Sequence, residues 1–205
     1  AVGTAYSKTE TFQTALFTIV LLGEAVTSMT FLAIFISFFG VCFLSLAKMT
    51  ISPREFLFSW ANKGALLALA NGAMLGVSAV AYRGAALNLG GDSPLLAASA
   101  TLVTALAIQT FVMTAYLLAF EPGEITKVWR NRAKASLVGA ASMLGSVGWF
   151  TAMTLQNAAI VRAVGQVELI FTFLTSVLIF KEKINRYEVL GTLLIVGGIL
   201  VLLLD

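Results

Sequence analysis

The chain has 205 residues, of which 59% are hydrophobic and only 11% charged. A soluble domain carries about 25% charged residues, so this chain has too few to coat a water-facing surface, and the composition makes it an all-α polytopic membrane protein. The net charge of +3 sits in loops, which gives no reason to expect nucleic acid as a partner, while the lack of histidine and the single Cys42 exclude a disulfide framework, the usual zinc sites and histidine-based catalysis.

Seven apolar runs are predicted to be transmembrane helices, at 5–22, 29–47, 64–88, 95–119, 135–156, 162–180 and 187–204. They must be helical, because lipid cannot satisfy free backbone N–H and C=O groups. Between the second and third runs, "ISPREFLFSWANK" (Ile51 to Lys63) places Phe56, Phe58 and Trp60 among charges, which suits the membrane interface. After the third run, "NLGGDSP" supplies flexible glycines, then Asp92 or Ser93 as N-cap, then Pro94 in the first turn. "EPGE" (Glu121 to Glu124) closes the fourth run.

Basic residues alternate by loop. Ten of the 13 fall in the loops after runs two, four and six, and only Arg83 and Arg162 lie near the alternate ends. The basic loops are expected to face the cytoplasm, which would put the C-terminus outside.

Sliding the chain by 158 positions aligns Ala5–Thr27 with Ala163–Asn185. Glu10 then meets Glu168, Thr14 meets Thr172, Glu24 meets Glu182 and Gly40 meets Gly198. The loop charges give the two copies opposite sense, as in the inverted repeats of secondary transporters. Three spans separate the second run from the sixth, so the expectation is a second half of five helices and a first half represented by its last two. Three further helices would then precede Ala1.

Glu168 stands out. A carboxylate at a helix centre costs roughly 2.5–3.5 kcal/mol on insertion scales. Counted from the start of its run, Glu168 lies about six residues in, or about 9 Å. It either faces a cavity, where it would bind a cationic substrate or a coupling proton, or pairs with a basic residue such as Arg162 or Lys8 and fixes packing. Glu10 carries the same choice. Arg83 either snorkels to the headgroups or partners a carboxylate. Gln166, Thr172, Asn71, Tyr82, Ser146 and Trp149 are candidates to line the cavity, with interhelical hydrogen bonding as the alternative for each. Gly64, Gly72, Gly76, Gly145 and Gly198 are expected to let helices pack closely. Glu24 and Glu182 read as solvated turn residues near a helix N-terminus.

The stretch "NAAIVRAVGQVELIFTFLTSVLIFKEKINRYEVLGTLLIVGGILVLL" (Asn157 to Leu203) resembles the last two helices of an EamA-type protein of the drug/metabolite transporter superfamily. "LLGE" (Leu21 to Glu24), "IFKE" (Ile179 to Glu182) and the glycine-containing final helix from Gly191 to Gly198 carry the same resemblance. It implies a ten-helix, five-plus-five inverted-repeat transporter, of which this chain is helices four to ten. Residues 1–47 would close the first half, 48–63 would be a cytoplasmic or interfacial linker, and 64–205 would be the complete second half. The resemblance also implies alternating access for a small metabolite, amino acid-like or drug-like solute, in a bacterial inner membrane.

Other classes fare worse on the residues. A retinal protein needs a lysine deep in its last span, and 187–204 has none. An aspartyl intramembrane enzyme needs two buried aspartates, but Asp92 lies in a loop and Asp205 at the terminus. The reading is a secondary transporter and not an enzyme, with no cofactor and no metal, and with the lipid bilayer and a small solute as partners. A membrane scaffold or assembly subunit is the alternative.

Overall fold

The computed structural model describes residues 6–47, 62–90, 92–181 and 184–204. Among them every regular element is helical: α1 (Glu10–Leu22), α2 (Ser28–Ala47), α3 (Lys63–Leu89), α4 (Pro94–Phe120), α5 (Glu124–Arg130), α6 (Arg132–Leu155), α7 (Ala158–Gly165), α8 (Val167–Leu178) and α9 (Arg186–Leu203). Most of the expected interfacial linker and both Glu182 and Lys183 lie outside the described residues.

Six spans are long and apolar enough to cross a membrane, namely 28–45, 63–89, 94–120, 132–155, 158–178 and 186–203. The expected first run is not among them. Residues 6–7 are helical, Lys8 and Thr9 form a turn, and α1 then covers 13 residues, about 20 Å of rise. The sixth expected run also changes. It starts at Ala158, because the Asn157 side chain accepts from Ala159 N at 2.9 Å and so caps the helix there. It then breaks at Gln166. Within the 21 residues of this span Glu168 is ten residues from Ala158, about 15 Å, and so lies at the middle rather than nearer one end.

The chain divides into two compact units, residues 1–81 with 157–205, and residues 82–156. In the first unit α1 turns its hydroxyls inward. Thr11, Thr14, Thr18 and Glu10 are buried, whereas Phe12, Leu16, Ile19 and Val20 are exposed. This inversion follows from the solvent. Lipid tails are as apolar as any protein core, so the face that gains from helix contact is the small and hydrogen-bonding one. Ala15 of α1, Ala33 and Ile34 of α2, Ala159 and Ala163 of α7, and Leu202 of α9 form the apolar core between these hydroxyls.

α2 and α9 pack antiparallel at backbone distance. A Cβ placed on Gly40 would lie 2.7 Å from Gly191 O and 2.9 Å from Ile195 N. A Cβ placed on Gly198 would lie 2.8 Å from Ala33 O and 3.1 Å from Ser37 N. Under the 158-residue offset Gly40, Gly191 and Ile195 map onto Gly198, Ala33 and Ser37. The contacts thus exchange with one another, as a two-fold axis perpendicular to the two helices requires.

Local features repeat at the same offset. The turn at Lys8–Thr9 corresponds to the break at Gln166. Thr14 Oγ1 donates to Glu10 O at 2.6 Å, and Thr172 Oγ1 donates to Glu168 O at 2.9 Å. Gly23 has φ +66° and its counterpart Lys181 has φ +52°. Thr27 caps α2 by accepting from Thr30 N, and its counterpart Asn185 caps α9 by accepting from Tyr187 N.

The second unit contains α4, α5 and α6, with the end of α3 from Tyr82. Ser93 caps α4 through a hydrogen bond from Leu96 N, with Pro94 opening the helix as the dipeptide predicts. The short α5 lies in the loop expected after the fourth span, with Lys127 paired to Glu124 and Arg132 over the Trp129 ring at 5.9 Å.

Candidate functional site

The first unit brings four charges together at the two helix breaks. Lys8 Nζ meets Glu168 Oε1 at 2.5 Å across 160 residues. Arg162 Nη1 lies 3.7 Å from Glu10 Oε1. Each glutamate stands in the first turn of the helix that follows a break, where the helix dipole favours negative charge. Each also has a cation from a distant part of the chain, so neither carboxylate is left uncompensated in an apolar medium. The two sites differ in access. Glu10 is buried, while the Glu168 side chain is 57% exposed and its Lys8 partner 19%.

Beside Lys8 lies a small crevice, with room for about one water, lined by Lys8, Thr11, Ser37 and Gln166 with Phe12, Ile34, Phe38 and Val41. Gln166 Nε2 donates to Thr11 Oγ1 at 3.0 Å. Gln166 Oε1 and Ser37 Oγ are buried with no hydrogen-bond partner among the described residues. Both residues are under 4% exposed. Gln13 Oε1, Thr18 Oγ1, Thr151 Oγ1 and Thr192 Oγ1 elsewhere among the described residues are in the same state, so the feature is not confined to this crevice.

The other expected site residues are placed as follows. Thr172 and Asn71 are exposed, Thr172 one turn after Glu168 and Asn71 on α3. Tyr82, Arg83, Ser146 and Trp149 belong to the second unit and not to the charge cluster. There the Tyr82 ring lies 4.3 Å from that of Phe150, and Gln109 Nε2 donates to Tyr82 OH at 3.4 Å. Ser146 and Trp149 are half-buried on α6. Arg83 Nη1 donates to Met153 O at 2.7 Å, Thr154 O at 3.2 Å and Gln156 O at 2.7 Å. It closes the carbonyl end of α6, where cations are favoured.

Of the expected packing glycines, Gly72 and Gly76 lie against α1. A Cβ on Gly72 would meet Ser7 O at 2.8 Å, and one on Gly76 would meet Thr14 Oγ1 at 3.0 Å. Gly198 lies against α2, as described. Added Cβ atoms on Gly64 and Gly145 meet nothing within 4 Å among the described residues. Glu24 is more than a solvated turn residue, since its Oε2 accepts from Asn157 Nδ2 at 3.0 Å. The same asparagine caps α7, so one side chain ties the α1–α2 turn to the start of the broken span.

The family model for EamA-like transporters matches residues 62–204, well over half of the chain. The chain belongs to the EamA-like transporter family. It is therefore an integral, multi-pass membrane protein of a transporter family, as its apolar helices require. No curated protein and no solved structure matches it.

Within this EamA-like chain, sequence reasoning reached both glutamates and Gln166 but passed over Thr11 and Ser37. A signal for Ser37 was present. Thr30, Ala33, Ile34, Ser37 and Val41 recur at helical spacing and form the buried face of α2. Ser37 is thus a polar group on the packed face of a helix that is otherwise lipid-compatible.

Proposed function

We propose that this EamA-like protein is a secondary transporter that moves a small metabolite, amino acid-like or drug-like solute by alternating access, in the export direction and in a bacterial inner membrane. The observation that carries the reading is the matched pair of helix breaks, each followed by a glutamate held by a cation from a distant part of the chain. Discontinuous helices with charged groups near the membrane midplane are where such proteins bind substrates and coupling ions. The two-fold exchange of α2–α9 contacts supports a five-plus-five inverted architecture, with residues 1–47 as the last two helices of the first half and 64–205 as the second. Glu168 is then the substrate or coupling-ion residue, with a proton as the coupling ion. Glu10 is its structural counterpart, with Gln166 and Thr172 beside them.

The test is uptake or efflux in proteoliposomes with and without an imposed pH gradient. Glu168→Gln is expected to lower gradient-driven flux at least tenfold, because an amide keeps the shape but cannot exchange a proton or hold a cation by charge. Wild-type flux in that variant would sink the assignment.

A further inference from the structure

The corner that joins α4 to α6 carries four cations beside an uncovered apolar face. We infer that this corner seats an anionic phospholipid, with its phosphate held by Arg130, Arg132 and Lys134 and its acyl chains lying along Trp129 and the neighbouring apolar side chains. All of these residues belong to the second unit, and the inference does not depend on the transport reading.

The bilayer fixes where the corner lies. α4 and α6 are each long and apolar enough to span, and they pack against each other, so the segment that connects them stands at one membrane surface. Aromatic side chains mark that level. Tyr116 and Phe120 end α4 with their rings 5.2 Å apart, and Phe120 and Trp129 are 71% and 72% exposed. On α5, Ile125, Val128 and Trp129 recur at helical spacing and share one face, and all three are exposed. Lys127 and Arg130 fall on the opposite side. A helix with one apolar and one basic face lies in the plane of the interface, its apolar side towards the lipid chains.

The balance of charge selects the ligand. From Glu121 to Lys134 there are four cations, Lys127, Arg130, Arg132 and Lys134, against two acids, Glu121 and Glu124. Lys127 is paired to Glu124. Arg130, Arg132 and Lys134 are exposed and have no carboxylate partner among the described residues. The Arg132 guanidinium stands over the Trp129 ring, 5.9 Å from its centroid, so a phosphate-matching charge sits at the level of the aromatic that meets the lipid. An acidic protein surface would answer the cations and leave the apolar face of α5 to be covered by something else. A phospholipid answers both, with phosphate above and chains below. A zwitterionic lipid brings its own cation to the same place, so the unpaired arginines and lysine favour an anionic one.

The experiment is quenching of Trp129 fluorescence in vesicles. Trp60→Phe/Trp149→Phe leaves Trp129 as the sole tryptophan of the full chain. This protein is reconstituted in phosphatidylcholine with a minor fraction of chain-brominated phosphatidylglycerol or, in parallel, the same fraction of chain-brominated phosphatidylcholine. The anionic lipid should be enriched at Trp129 at least about fivefold over the zwitterionic one, the factor that one cation near a charged membrane surface produces. Arg130→Gln/Lys134→Gln, which keeps the Arg132–Trp129 contact, should lower the enrichment, and adding Arg132→Gln should abolish it. Equal quenching by the two lipids, or an enrichment that survives the triple variant, overturns the inference. So does weak quenching by both, which would put Trp129 outside the interface. Loss of the enrichment to soluble glycerol phosphate at constant ionic strength would assign the corner to a free anion instead of a lipid.

Discussion

Gly40 and Gly191 meet backbone to backbone. A side-chain carbon on Gly191 would lie 2.6 Å from Gly40 O, and one on Gly40 would lie 2.7 Å from Gly191 O. The opposing atoms are main-chain carbonyls, so no rotamer change relieves the clash. Gly191→Val is therefore expected to destabilise the protein by about 2–3 kcal/mol, in the upper part of the overpacking range. Gly145→Ala, in the open middle of α6, should do the opposite and gain up to about 1 kcal/mol from helix propensity. Thermal unfolding in detergent, followed by intrinsic tryptophan fluorescence, separates the two. A neutral Gly191→Val would show that α2 and α9 do not pack this closely.

The ion pair between Arg162 and Glu10 predicts a non-additive double-mutant cycle. Glu10 is buried beside an apolar core, so Arg162→Met leaves its carboxylate without a compensating cation. That single change should cost about 3–5 kcal/mol, and Arg162→Met/Glu10→Gln should recover most of it. Additive losses would mean that the two charges do not interact.

Arg83 predicts a test confined to the second unit. One guanidinium nitrogen serves three carbonyls at the end of α6. Arg83→Met should cost about 1.5–3 kcal/mol, the range for a hydrogen bond to a charged group. Arg83→Lys should recover part, because an ammonium is also a donor but lacks the planar fork. Hydrogen exchange at Met153 to Gln156 localises the effect. Unchanged protection there in Arg83→Met would refute the capping role.

The turns after α1 and α8 offer opposite outcomes from one backbone geometry. Gly23 and Lys181 both have positive φ, at +66° and +52°. Left-handed backbone costs an L-residue with a side chain roughly 1–2 kcal/mol. Gly23→Ala should therefore destabilise by about 1 kcal/mol, and Lys181→Gly should stabilise by up to about the same amount, reduced by the greater freedom of glycine in the unfolded chain. Two melting temperatures that move in the same direction would contradict a shared turn geometry.

Much of the fold is legible in the sequence because lipid imposes simple rules. Apolar length marks a span, and six of the seven expected runs match helices within a few residues at most ends. The exceptions have different causes. The Lys8–Thr9 turn falls in the polar stretch from Ser7 to Thr11, which the expected run starting at residue 5 overran, whereas the Gln166 break lies inside an apolar run and neither proline nor paired glycines announce it. Hydropathy cannot detect a break whose freed backbone groups are served by neighbouring helices. The polar pair Gln156–Asn157 does separate the expected runs 135–156 and 162–180, and the helix starts at Ala158, four residues before the expected start.

The candidate site divides in the same way. The sequence by itself determined the class of protein, the offset of its repeat, and the two glutamates worth asking about, because composition, periodicity and a misplaced charge are properties of the chain alone. Only the tertiary structure decided the partners. Lys8 belongs to Glu168 and Arg162 to Glu10, Arg83 closes a helix end, and Ser37 joins Gln166 in one crevice. Pairings across more than a hundred residues depend on which helix faces meet, and that is set by small-residue contacts such as Gly40 on Gly191. In lipid those contacts carry no hydrophobic signature, because the medium outside is as apolar as the interior.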